Sequence, residues 1–304
     1  MRKASPHTPL SGLGEEAVLR RVLSAYGAPA ADGLLVGPGD DCAVVRRDDA
    51  WDTLLKTDAL VEGVHFTPDT PPHLIGRKAL ARTVSDVAAM GGLPEHALVT
   101  LLVHKDRPVE LLEGIYAGMA ELAAEFGISL AGGETSSLPQ EGLAISVALT
   151  GRVEHGHAVL RCGGRAGDVL CVSGALGGSF TSGRHLSFTP RVKLARRLPA
   201  LGLRPHAMMV ISDGLAMDLP RLARASGCGF ELDESALPCY PGCTPQQALS
   251  DGEDYELLLA LTPEQAAQLP AHTELDLTPI GRLTEGTAGD LPGGWQHFST
   301  SSHT

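Results

Sequence analysis

The chain has 304 residues, 43% of them apolar, with 24 basic against 36 acidic side chains and a formal charge of -12. That length suits one large domain or two ordinary ones, and two is the expectation here. The acidic balance disfavours a nucleic-acid backbone or an anionic membrane surface as main partner; no apolar run approaches the ~20 residues of a membrane helix, and the start MRKASPHTPLSGLGEE lacks a signal peptide's apolar core, so the reading is cytoplasmic.

Residues 14–26 place Ala17, Val18, Val22 and Leu23 on one helical face, with Gly27 as the stop. Strand-like runs follow at 34–36, 42–45 and 53–57, separated by Gly37-Pro38-Gly39 and the acidic turn Arg47-Asp48-Asp49. Asp40, Asp41 and Asp58 are therefore expected at strand ends. From His73 to Met90 the period is helical, with Leu80, Val84, Val87 and Ala88 on one face and Gly91-Gly92 at the end. Asp86 falls near that helix's C-terminus, where the dipole disfavours an anion and a cation partner is expected. A strand at 98–103, a helix opened by Pro108 and stopped by Gly127, a strand at 128–131 and a β-rich segment at 143–153 complete the first half. The turn-rich HGHAVLRCGGRAGD reads as a junction, giving domains of 1–152 and 153–304. The second half predicts strands at 168–173, 207–211 and 255–261, helices at 190–201, 214–226 and 263–269, and a loose tail after Phe298.

Six acidic positions stand in Gly- or Ser-flanked motifs: Gly39-Asp40-Asp41, Thr57-Asp58, Ser85-Asp86, Gly132-Gly133-Glu134, Ser212-Asp213 and Gly252-Glu253-Asp254. Carboxylates gathered by folding repel, so the fold needs raised pKa values or a bound cation. Magnesium, a hard ion shared between one or two carboxylates and substrate phosphates, is the natural candidate, and it points to phosphate-handling chemistry. No GxxxxGKS/T loop is present, and no GxGxxG follows a strand. A nucleotide, if bound, is therefore held otherwise, with Arg161 at the junction as a candidate cation and backbone amides of the turn 174–178 as a candidate anion nest. Taken alone, that turn is better read as a plain strand-to-helix connection. The six cysteines form no CxxC pair and read as reduced, mostly packed thiols.

Together GDDCAVV at 39–45, TDALVEGVHF at 57–66, IGRKALARTVSDVAAMGGLP at 75–94, GGET at 132–135, SDGLAMDL at 212–219, GEDYELLLA at 252–260 and GWQHF at 294–298 resemble the thiamine-monophosphate kinase family, in order along the chain. The resemblance implies an α/β (α+β) protein with the two-domain aminoimidazole ribonucleotide synthetase-like fold. Its N-terminal domain would bind metal and ATP and pair with a second copy through its sheet, making a homodimer; an α/β domain would follow. Asp41, Thr57, Asp58 and Asp86 match magnesium ligands, with Asp40 beside them and Asp213 as a further ligand. Gly133, Arg161 and Ser212 match ATP contacts, and Glu134 matches a position serving both ATP and metal. His65, Glu253 and Trp295 match contacts to thiamine monophosphate. The implied reaction moves the γ-phosphoryl of ATP directly, in line, onto that phosphate, with several magnesium ions assisting. The acceptor's second pKa is about 6, so no strong general base is needed and none is obvious.

Two departures bear on the metal. The family's GGDT reads GGET, putting Glu134 at an aspartate position, and Val210 stands where the family tends to carry an aspartate. A valine cannot ligate, so a lower metal count or slower turnover is expected. Two alternatives stay open: a nucleotide- and metal-binding relative with little or no turnover, and an enzyme acting on another small phosphate acceptor.

Overall fold

A computed structural model describes residues 10–27 and 32–295; the tail expected after Phe298 lies outside them. The first sheet, ordered β1-β2-β3-β6-β4-β5, is built from β1 (Leu34–Val36), β2 (Ala43–Arg46), β3 (Trp51–Val61), β4 (Leu93–His104), β5 (Ser129–Leu138) and β6 (Leu143–Glu154). Its neighbours run antiparallel except for the parallel pair β4-β5. Helices α1 (Glu15–Tyr26), α2 (Pro72–Ala89) and α3 (Val109–Phe126) belong to this half. The second sheet, β8-β10-β7-β11-β9, is antiparallel throughout. Its strands are β7 (Val169–Ser173), β8 (Ala207–Ile211), β9 (Gly229–Leu232), β10 (Glu256–Leu261) and β11 (Leu277–Thr284). Helices α4 (Val192–Arg197), α5 (Leu215–Ala225), α6 (Pro245–Ser250) and α7 (Pro263–Ala266) accompany it. None of the described helices is long and apolar enough to cross a membrane.

Helix α2 ties the halves together. It packs on α3 and strands β3 and β6, and also on α4 and β8 of the second half, so it is buried on nearly every side. Gly76 of α2 and Gly118 of α3 allow the two backbones to touch: a Cβ at either would collide with the carbonyl oxygen of Ile115 or His73. One apolar core runs from Val84, Leu101 and Ile145 into Val210, Leu257 and Leu259 of the second sheet, and a separate cluster around Met209, Leu219, Leu258 and Ile280 fills that sheet's other face. Among the described residues the first sheet is covered on one face only. Along β6, Ile145, Val147 and Leu149 are buried, whereas the face carrying Leu55 and Leu98, 43% and 52% exposed, is bare.

Several expectations are corrected. Strand β3 runs well past 53–57, so Asp58 lies inside a strand rather than at its end, and Gly133 and Glu134 lie inside β5. The helix expected at 190–201 is α4 followed by a 3-10 turn at Pro199–Leu201, and α7 is shorter than expected. Strands β9 and β11 and helix α6 were not foreseen; Pro279 and a register shift before Gly281 break the pattern of β11. Cys162 is exposed, whereas Cys42, Cys171 and Cys228 are buried.

Candidate active site

A polar cleft of about 530 Å³ opens at the junction of the two halves, lined by six carboxylates (Glu15, Asp40, Asp58, Asp86, Asp213, Asp218) and five cations (Lys56, Arg82, Arg161, Arg221, Arg224). Strand alternation places Lys56 and Asp58 on the face of β3 covered by α2. Lys56 Nζ lies 3.2 Å from Asp86 Oδ2, and Arg82 holds Asp58 through Nε at 3.0 Å and Nη2 at 3.3 Å. From the junction, Arg161 Nη2 donates to Asp41 Oδ1 at 2.5 Å and its backbone N–H to Asp40 Oδ2 at 3.0 Å. Burial pushes the Asp86 carboxyl up to about 7; Lys56 opposes this, while Asp41 and Asp58 add repulsion. Burial likewise raises Asp40. Lys56 is pushed down by burial, yet Asp86, Asp58 and Asp41 outweigh that and hold its pKa above the ordinary value.

The C-terminal half contributes the Ser212-Asp213 turn between β8 and α5. Buried Asp218 accepts the backbone N–H groups of Ser212 at 2.9 Å and Asp213 at 3.0 Å, and Arg221 Nη1 bridges Asp218 at 2.9 Å and Asp213 at 2.5 Å. Glu253 N–H donates to Ser212 O at 2.7 Å and Trp295 N–H to Asp213 O at 2.8 Å, so three separate motifs meet at this turn. Glu253 and Tyr255 both adopt left-handed backbone, at φ 69° and 53°. Such strain in non-glycine residues persists only where neighbours enforce it.

Behind Arg82 and Tyr255 lies a second polar layer. Wholly buried Lys78 pairs with Glu253 and places Nζ 2.6 Å from His65 O and 2.6 Å from His185 Nδ1. Tyr255 Oη donates to Glu253 Oε1 at 3.3 Å. Burial alone would raise Glu253, but the His185 hydrogen bond and the charges of Lys78 and Arg82 hold its carboxyl well below the usual range. Burial, then Arg82, push His65 down to about 4. Its Nδ1 accepts the Val61 N–H at 3.0 Å, so the neutral ring carries its proton on Nε2.

Two family models match the chain: AIR synthase related protein, N-terminal domain, over residues 39–153, and AIR synthase related protein, C-terminal domain, over 165–292. The thiamine-monophosphate kinase of Rhodopirellula baltica is 36% identical over 285 residues, covering 88% of this chain and 87% of that protein. The solved structure of AaThiL complexed with AMPPCP and TMP superposes with a TM-score of 0.84 at 32% identity, covering 96% of this chain and 100% of that one. The crystal structure of thiamine-monophosphate kinase from Stenotrophomonas maltophilia K279a matches with a TM-score of 0.72 at 31% identity, covering 91% and 96%. The chain belongs to the thiamine-monophosphate kinase family.

The residues matched to that family do not all meet within one chain. Asp40, Asp58, Asp86, Arg161, Ser212 and Asp213 line the cleft. Asp41 lies behind Arg161, and His65 and Glu253 lie behind Arg82 and Tyr255. Thr57 and Glu134 face the other side of the sheet. Thr57 is paired with Ala148 and Glu134 with Thr100, both on the bare face, and β5 is three inter-strand steps from β3, on the order of 14 Å. Gly133 shares that distant strand. The turn 174–178 does bind anions, but they are the protein's own: Gly177 N–H donates to Asp254 and Gly178 N–H to Asp251.

Sequence reasoning missed Lys56, Lys78, Arg82, Asp218 and Arg221. A signal was present, since Lys78, Arg82 and Asp86 recur every four residues along one helix.

The donor set fits magnesium. Asp41 Oδ2 is buried without a hydrogen-bond partner, and all the carboxylates are hard oxygen donors. Among the described residues no group of three or more His, Cys, Asp or Glu converges on one point. Magnesium tolerates this, because one or two carboxylates with waters and phosphate oxygens satisfy it.

Proposed function

We propose that this chain transfers the γ-phosphoryl group of ATP to thiamine monophosphate, giving thiamine diphosphate and ADP. The observation that carries the reading is the cleft, where cations and carboxylates from both halves of a thiamine-monophosphate kinase family member face one another. Two anions must be brought together, and Arg161, Arg221, Lys56 and Arg82 supply positive charge around that space. Asp40, Asp41, Asp58, Asp86 and Asp213 would hold magnesium, which when bound neutralises charge on the phosphates. The chain's own task is positioning: Arg161 and Ser212 orient the nucleotide, and the Ser212-Asp213 turn carries Glu253 and Trp295, assigned with His65 to the thiamine phosphate. The acceptor phosphate is already ionised, so transfer is direct and needs no phospho-enzyme.

The bare face of the first sheet supports a homodimer in which that face, with Thr57, Gly133 and Glu134 on or beside it, is covered by a second copy. A domain division at residue 152 and a cytosolic setting complete the reading. Product formation from ATP and thiamine monophosphate, measured with magnesium and with chelator in wild type and Asp86→Asn, tests it. Metal-dependent product that collapses in the variant is expected. Nucleotide binding without product would favour the non-turnover relative, which Val210 and Glu134 motivate, and product only with another phosphate acceptor would reassign the substrate.

A further inference from the structure

We propose that a second cavity, across the junction segment from the catalytic cleft, is a regulatory site for a small aromatic anion: a ring system bearing a carboxylate, sulfonate or phosphate group. The cavity holds about 720 Å³, within the roughly 300–1,000 Å³ of small-molecule sites. The first half of the chain supplies Gly91 and Glu154, the second supplies α4 and residues 204–208, and the segment 156–163 runs between them. Half-buried Val159 and Leu160 meet buried Leu198 and Met208, an apolar lining that suits a ring system. The polar lining is one-sided in charge. Glu154 is its one acid among the described residues, and Arg196 takes both oxygens, Nη1 donating to Oε2 at 2.8 Å and Nη2 to Oε1 at 2.5 Å. That pairing holds the Glu154 carboxyl down at about 2. The Arg204 guanidinium, by contrast, pairs with no carboxylate among the described residues. His206 is held at Nδ1 by Asp168 at 2.9 Å, and His157 donates Nδ1–H to His155 O at 2.9 Å, so each ring keeps Nε2 for a ligand. In a chain of formal charge -12, a cavity that offers an arginine and two imidazoles selects an anion. The regulatory role follows from the shared wall. Leu160 and Cys162 line this cavity, whereas Arg161 between them lines the catalytic cleft and bonds Asp40 and Asp41. The segment is tied to both halves, Val159 N–H donating to Met90 O and Met208 N–H to Leu160 O, each at 3.2 Å. A ligand resting on Leu160 contacts the short segment that positions Arg161, so its binding and that of a nucleotide shift each other by one common factor. The inference goes beyond the kinase reading and draws on it only for the place of Arg161 beside the nucleotide.

The test titrates 8-anilinonaphthalene-1-sulfonate, an aromatic anion, by fluorescence, beside its uncharged relative N-phenyl-1-naphthylamine. Cys162, an exposed thiol that lines the cavity, reports occupancy through its rate of alkylation by iodoacetamide, read by peptide mass mapping. The sulfonate should protect Cys162 in wild type, and the neutral probe should bind about tenfold more weakly. Arg204→Glu, and Ala200→Trp, which fills the cavity from an exposed position, should each lose about tenfold in sulfonate affinity while ADP affinity stays as in wild type. Saturating sulfonate should shift ADP affinity, measured by calorimetry, by about fivefold or more, and saturating ADP should shift sulfonate affinity by the same factor. Alkylation of Cys162 indifferent to the sulfonate, equal binding of the neutral probe, or undiminished sulfonate affinity in the two variants overturns the site. ADP affinity indifferent to the sulfonate overturns the regulatory role. Complete displacement of the sulfonate by ADP puts the probe in the catalytic cleft and overturns both. None of these readouts needs turnover, so absence of kinase activity in wild type would sink the proposed function and leave the second site legible.

Discussion

Replacing Lys78 by methionine isolates the ammonium beneath Glu253. The side chain is wholly buried, pairs with Glu253, and reaches His65 O and His185 Nδ1 at 2.6 Å each. Methionine keeps most of the volume and is adaptable in shape, so the loss is chiefly of charge. Removing one member of a buried ion pair costs about 3–5 kcal/mol. Glu253 keeps its 3.3 Å bond from Tyr255, which places the expectation near about 3 kcal/mol in guanidinium unfolding at neutral pH. Adding Glu253→Gln should recover most of that, because the uncompensated carboxylate is then gone. A pH series supplies a second reading. Burial, partly opposed by Glu253, brings Lys78 from 10.5 down to about 8. Between those values the native state binds fewer protons than the unfolded chain, so stability rises with pH across that window, by up to about 3 kcal/mol, and is flat below it. Methionine abolishes the rise, so the deficit of the variant should widen as pH increases from 8. A deficit under about 1 kcal/mol, with parallel pH curves for the two proteins, would refute the reasoning.

Arg161→Ala removes the guanidinium that holds Asp41 at 2.5 Å and faces the cleft; calorimetry should show at least a tenfold loss of ADP affinity, and unchanged affinity would remove Arg161 from the nucleotide site. Gly76→Ala drives a methyl into the Ile115 carbonyl and should cost about 1–3 kcal/mol, read as a fall in melting temperature; no fall would mean that α2 and α3 separate freely. Leu98→Glu puts a charge on the bare sheet face and should shift sedimentation from dimer towards monomer with the fold intact by circular dichroism, whereas an unchanged distribution would place any dimer contact elsewhere.

Elements whose apolar residues keep one period were legible along the chain: α2, α3 and β6 fall within a residue or two of their expected bounds. Strand β3 was truncated in the reading because Asp52, Lys56 and Asp58 interrupt its apolar pattern. Each is satisfied by a partner remote in sequence: Asp52 by His155 at 2.8 Å, Lys56 by Asp86 and Asp58 by Arg82. A buried charge whose partner is remote reads as a loop. The anion nest at 174–178 was legible as geometry but not as occupancy, since Asp254, which accepts the Gly177 N–H, lies 77 residues further on. The acidic motifs were read as demanding raised pKa values or the positive charge of a bound cation. That the protein itself supplies much of it was not, because Lys56, Arg82, Arg161 and Arg221 stand in four different segments.

The stripe Lys78, Arg82, Asp86 explains how the two polar layers are kept in step. All three project from one face of a helix buried on nearly every side: Lys78 is wholly buried, Arg82 and Asp86 border the cleft, and each has its counter-charge in place. Lys78 meets Glu253, Arg82 meets Asp58 while lying 6.0 Å from the Tyr255 ring centroid, and Asp86 meets Lys56. Arg82 therefore touches both the cleft and the wall in front of Glu253. Tyr255 is fixed in turn by its stacking on Phe188, at 4.2 Å between centroids, and by its left-handed backbone. Arg82 thus pairs with Asp58 on one side and lies beside the tyrosine that bonds Glu253 on the other. One helix thus carries the counter-charges of both polar layers, although no single pocket contains them all.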